Sequence, residues 1–173
     1  IEQSLRFNDD DSAYLSRTPA SAGNRKTWTW SGWVKRGNLG LRMSFFVGGV
    51  TSIGNNVLVL QFNTSNQIEV FASTWGSPVD WQLTGTQVFR DPSAWYHITL
   101  AVDTTQASAA DRVALYVNGV KITGFATETY PALNYDTAVN NTVSQVLGCS
   151  IAGLYHFDGY MAEVNFIDGS ALD

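Results

Sequence analysis

The chain has 173 residues, 45% of them hydrophobic and only 14% charged, which describes a folded domain and excludes an intrinsically disordered one. A net charge of −5 without any block of Lys or Arg argues against nucleic acid or an anionic membrane as a partner. No apolar run approaches the roughly 20 residues that span a bilayer, and the lone cysteine, Cys149, cannot form an internal disulfide.

In chain order, SLRF (4–7) and AYLS (13–16) read as short strands around Asn8-Asp9-Asp10-Asp11. Three adjacent carboxylates suit calcium in composition only, because consecutive side chains point in different directions, so this stretch reads as a solvated loop. After the small, polar residues 18–26, TWTWSGWVK (27–35) reads as a strand with Trp28 and Trp30 on one face and Trp33 on the other, with a bulge placed at Gly32. Residues 36–42 form a turn, and MSFFV (43–47) is the next strand. Gly48-Gly49 and Gly54-Asn55-Asn56 bracket a loop before VLVLQF (57–62), a buried strand; NTSN (63–66) then turns the chain into QIEVFAS (67–73). Residues 74–86, TWGSPVDWQLTGT, mix Trp75 and Trp81 with Gly, Ser, Pro and Asp and read partly as loop.

The stretch 95–123 is the most regular in the chain. Ile98, Leu100 and Val102 share one face, Val113, Leu115 and Val117 share another, and Asn118-Gly119 is a strong hairpin signal because both turn residues must take φ > 0. A turn there pairs Val117 with Val120 and Leu115 with Ile122, keeping one apolar face through the hairpin. Residues 126–137 show neither period and read as a long connection. VSQVLG (143–148) recovers alternation, and after Phe157-Asp158-Gly159 the run 160–167 sets Tyr160, Ala162, Val164 and Phe166 against Met161, Glu163, Asn165 and Ile167. The expectation is an all-β, two-layer antiparallel β-sandwich or jelly roll with minimal helix, as a single domain over 1–173. The opening Ile1 and the abrupt end read as an excised or processed piece of a longer protein.

Four phrases stand in a telling order: SLRF with AYL, TWTWSGWVK, WYHITLAVD with VALYVNG, and FDGYMAEVNFIDG. They resemble the laminin G-like, concanavalin A-like jelly roll found in structural and receptor-binding proteins of tailed bacteriophages. That resemblance implies two stacked sheets of six or seven strands, adjacent first and last strands, and carbohydrate binding on the concave face or at the loop rim. It also implies localisation to the virion as part of a tail fibre, spike or capsid-attached fibre. The expected partners are host cell-surface polysaccharide and other virion proteins, with homo-oligomers allowed.

The chemistry expected is binding, not catalysis. Glycoside hydrolysis needs two carboxylates at set separation, and Glu2, Glu69, Glu128 and Glu163 do not form the Glu-x-Asp-x-x-Glu pattern of the related glucanases. Glu163 reads as a solvated strand residue, His97 beside Tyr96 as a polar sheet partner, His156 as a rim residue and Cys149 as a small buried one. Sugar binding needs aromatic platforms with amides and carboxylates that pair with hydroxyls. Asn55, Asn56, Trp75, Asp80 and Trp81 fit that need, and Tyr130, Asn134 and Tyr135 form a second group, each aromatic serving equally well as a plug for the sandwich edge. No cofactor is expected, and calcium has no clear motif. The competing reading is a structural decoration or oligomerisation domain of the virion without a sugar ligand.

Overall fold

A computed structural model describes residues 1, 3–50, 56–74 and 76–172. Thirteen strands are present among them: β1 (Leu5–Phe7), β2 (Leu15–Arg17), β3 (Thr27–Arg36), β4 (Met43–Gly49), β5 (Asn56–Phe62), β6 (Gln67–Thr74), β7 (Val79–Val88), β8 (Tyr96–Asp103), β9 (Val113–Val117), β10 (Val120–Lys121), β11 (Phe125–Thr129), β12 (Gln145–Leu147) and β13 (Gly159–Asp168). The only helix among the described residues is a 3-10 turn, Ala109–Asp111. A six-stranded sheet runs β1-β13-β3-β8-β9-β10 and a seven-stranded sheet runs β11-β7-β6-β5-β4-β12-β2, all pairs antiparallel.

Period-two alternation explains the layers. Ile98, Leu100 and Val102 of β8 and Val113, Leu115 and Val117 of β9 face Leu58, Leu60, Phe62, Ile68 and Val70 of the other sheet, all buried in one core. Each such side chain contributes about 1.5–3 kcal/mol by leaving water. Trp28 and Trp30 lie inside, as their spacing predicts, while Trp33 turns outward to meet His97 with ring centroids 5.1 Å apart. Trp30 stacks on Phe46 at 5.6 Å and meets Phe45 at 5.8 Å, so β3 and β4 are locked across the layers by aromatic contact.

The hairpin turn forms at Asn118 and Gly119 with φ of 52° and 76°, and Val120 pairs with Val117. Ile122 donates its backbone N–H to the Leu115 carbonyl at 2.8 Å and is itself buried. The Phe157-Asp158-Gly159 phrase has a steric reason. Gly159 (φ 144°) lies so close to β3 that a Cβ there would run into the Lys35 carbonyl. The first and last strands are neighbours, Arg6 opposite Tyr160.

Four expectations need correction. Residues 79–88 form a full strand, and Thr74 still belongs to β6, so the stretch 74–86 that reads partly as loop is mostly strand. Residues 125–129 form β11 against β7; its mostly exposed side chains hide the alternation that a half-buried strand would show. The bulge placed at Gly32 lies instead in β13, where the register to β3 shifts between Ala162 and Asn165 and Glu163 takes φ 49°. That bulge also breaks the expected alternation of 160–167, so Met161 is buried before it and Val164 packs on the core after it.

Candidate functional site

The ends of β5, β6 and β7 meet the segment 130–137 at one rim of the sandwich. The connection is pinned from both sides: Asn134 N–H donates to the Thr104 carbonyl at 2.8 Å, Thr104 Oγ1 donates to the Tyr135 carbonyl at 2.9 Å, and Thr137 N–H donates to the Arg25 carbonyl at 3.1 Å. Trp28 Nε1 adds a bond to Thr137 Oγ1 at 3.0 Å, tying the loop to the core. Asn134 takes φ 60°, a left-handed bend that asparagine tolerates, and so the next side chain, Tyr135, turns back over the sheet end.

Tyr135 donates its hydroxyl to Asp80 Oδ2 at 2.8 Å, and Thr74 Oγ1 lies 3.4 Å from the same oxygen and 3.2 Å from Asn56 Oδ1. Asn56 Nδ2 donates to the Asp136 carbonyl at 3.3 Å. Asn56, Thr74, Asp80 and Tyr135 therefore form one connected cluster, although they come from two groups far apart in sequence. Burial, then the bond to Asp80 and its charge, push the Tyr135 phenol well above its ordinary range, with Arg25 opposing. The phenol thus stays a donor and holds an exposed carboxylate whose Oδ1 has no hydrogen-bond partner among the described residues. A carboxylate and amides so placed suit vicinal hydroxyls, which both donate and accept.

The other expected site residues divide. Trp81 is only 1% exposed and packs in the core, because β7 continues through it and its alternation turns it inward; it is unavailable as a stacking platform. Tyr130 packs partly on the core and donates to Glu128 Oε1 at 2.9 Å, its phenol pushed up to about 12 by burial and then by that carboxylate. Asn134 is exposed beside Tyr135. Asn55 and Trp75 lie outside the described residues.

A second polar group was hidden in the strand alternation. On the outer face of the seven-stranded sheet, Glu69 Oε1 accepts from Gln61 Nε2 at 2.8 Å, and Oε2 accepts from Gln82 Nε2 at 2.9 Å and Thr84 Oγ1 at 3.1 Å. Ser44 Oγ donates to Gln61 Oε1 at 3.3 Å, completing a row across β4, β5, β6 and β7. Glu69 is adjacent to the core residues Ile68 and Val70 and carries the wrong polarity for a buried position; its placement is legible only once the pairing register brings amides to it.

The residues weighed for other chemistry take structural places. Glu163 is exposed at the bulge, and His156 Nε2 lies 2.9 Å from the Gly153 carbonyl. Cys149 is buried, and burial pushes its thiol up, away from the thiolate a nucleophile needs. Among the described residues no group of three or more His, Cys, Asp or Glu could hold a metal ion, and no helix is long and apolar enough to cross a membrane.

The family model described as the concanavalin A-like lectin/glucanases superfamily matches residues 8–172. No curated protein sequence matches the chain. Among solved structures, the chain is similar to a Ruminococcus gnavus sialidase CBM40 bound to α2,3-sialyllactose, at 15% identity and TM-score 0.62, covering 94% of each chain. It is also similar to domain 4 of a Geobacillus stearothermophilus arabinanase in complex with arabinotriose, at 20% identity and TM-score 0.57, covering 88% of this chain and 65% of that one. A third similar structure is tailspike protein 2 of the Escherichia coli O157:H7 bacteriophage CAB120, at 14% identity and TM-score 0.61, covering 96% of this chain but 23% of the tailspike.

Proposed function

Because the chain belongs to the concanavalin A-like lectin/glucanases superfamily, we propose that it is a non-catalytic carbohydrate-binding module, carried by a phage tail fibre, spike or capsid-attached fibre and recognising a host surface glycan. The observation that carries this reading is the rim cluster, in which Tyr135 and Thr74 hold the exposed Asp80 carboxylate beside Asn56. The same arrangement offers sugar hydroxyls the Asp80 Oδ1, which has no hydrogen-bond partner among the described residues. The sugar-bound modules of similar fold support a carbohydrate ligand, and the phage tailspike of similar fold supports the virion setting.

Catalysis has no part in this reading, in which Glu69, both its oxygens held by neutral donors within the sheet, serves the scaffold. Calcium has none either, so binding should survive chelation. A glycan array of bacterial surface polysaccharides, followed by titration of the best saccharide against tryptophan fluorescence in EDTA and in calcium, tests the proposal. Saturable quenching equal in both buffers is the expected result; silence across the array, or turnover of the saccharide, would defeat it.

A second reading rests on the outer face of the six-stranded sheet. There Trp95 meets Tyr160 with centroids 6.4 Å apart, and Trp33 meets His97, which gives a partly exposed aromatic row suited to a neighbouring virion protein or a second copy. Light scattering that shows a stable oligomer, lost in Trp33→Ser, would favour it.

A further inference from the structure

At the edge of the sandwich where β1 and β2 lie, the layers are open, because these edge strands are each three residues long and do not pair with each other. A cavity of about 230 Å³ lies there between the layers, walled by Trp30, Phe46, Leu147, Val164 and Phe166. A second hollow of about 500 Å³ shares Leu15, Leu147 and Val164 with it and extends past Leu5 and Met161. Together they make one apolar trough. Leu15 and Phe166, on its walls, are 50% and 40% exposed, a large apolar area for a domain to leave wet.

The trough has an electrical direction. Arg17 follows Leu15 by two residues on β2, so both project to the same side and both line the inner cavity. The Arg17 guanidinium has no ion-pair or hydrogen-bond partner among the described residues, where the one salt bridge joins Arg6 to Asp158. At the far end the outer hollow is lined by Glu163.

From this we infer that the trough binds an amphiphile with an anionic head and an unbranched apolar tail, of the class of a medium-chain alkyl carboxylate. The carboxylate pairs with Arg17, whose fork matches two oxygens, and the tail runs over Trp30 and Leu147 past Leu15 into the outer hollow. Glu163 repels a head in the reverse orientation. Size agrees: a cavity of roughly 150 Å³ takes benzene, so the inner cavity holds the head and first part of a ten-carbon chain while the outer hollow takes the rest.

Decanoate and decanol, titrated into the intact chain by displacement of a fluorescent naphthalene sulfonate, test the inference. One decanoate per chain should bind, decanol at least about tenfold more weakly, and Arg17→Glu should weaken decanoate at least about tenfold. Leu15→Asp, an exposed position that leaves the core intact, should weaken it as well. Saccharide binding at the rim should be unchanged in both variants, which separates this inference from the proposed function. Equal affinity for decanol and decanoate, wild-type affinity in both variants, or adsorption to phosphatidylglycerol vesicles without binding of free decanoate would each overturn it.

Discussion

Two polar clusters of the seven-stranded sheet use similar residue types to opposite ends. In the row Gln61, Glu69, Gln82 and Thr84, every carboxylate oxygen is consumed by neighbouring side chains, and Glu69 is only 8% exposed. At the rim, Asp80 keeps an oxygen facing solvent. The clusters are two residues apart along β7, Asp80 and Gln82, so strand position alone does not separate them. What separates them is the number of donors that the pairing register brings within reach: a saturated acid is part of the scaffold, and an unsaturated acid held by a half-buried tyrosine is available to a ligand.

Substitution should expose that difference. Glu69→Ala strands three donors in a nearly buried place and should lower stability by about 3 kcal/mol, read by chemical denaturation, with rim binding preserved below the transition. Asp80→Asn should do the reverse, reducing saccharide affinity about tenfold while shifting stability by less than about 1 kcal/mol. If Glu69→Ala abolished binding in a folded chain and Asp80→Asn did not, the roles would be exchanged. Tyr135→Phe removes one hydrogen bond to a charged partner and should weaken saccharide binding several-fold, less than Asp80→Asn.

The smallest effect concerns alkaline pH. The Tyr135 phenol is raised in the folded chain by burial and Asp80, so its contribution to stability is complete below the unfolded value near 10 and declines as pH rises through the folded one. Tyr130, pushed up to about 12, acts in the same sense. Phenolate absorbance should show these two among the last tyrosines to ionise, and Tyr135→Phe should flatten the alkaline loss of stability.

The fold was legible in the chain wherever one face of a strand is dry and the other wet. The hairpin 95–123 and the Trp28/Trp30 face of β3 follow from alternation and turn residues, while the family was legible only as a resemblance of four phrases, which the match over residues 8–172 supports. Alternation failed where its premise fails. β11 is mostly exposed, so it looks like a loop, and β13 contains a bulge at Glu163 whose positive φ no side-chain pattern signals. Trp81 lay among Gly, Ser, Pro and Asp, which suggested a loop, but the pairing of β7 with β6 carries the strand through it and turns the indole inward.

At the rim, residue chemistry pointed to Asn56, Asp80 and Tyr135 but not to their union, because a hydrogen bond between residues 55 apart in sequence depends on how β7 and the 130–137 connection are anchored. Thr74, which belongs to that union, was passed over as a loop residue. The apolar trough left no local signal at all, since the walls of its inner cavity are drawn from β2, β3, β4, β12, β13 and two loops that only the sandwich brings together.

The most direct test of the central claim is a titration of the isotope-labelled chain with host surface oligosaccharide, followed by backbone amide NMR. Perturbations concentrated at Asn56, Thr74, Asp80 and Tyr135, and absent in Asp80→Asn, are the predicted result. Perturbations confined to Glu69 and Gln82, or to Trp33 and Trp95, would contradict it.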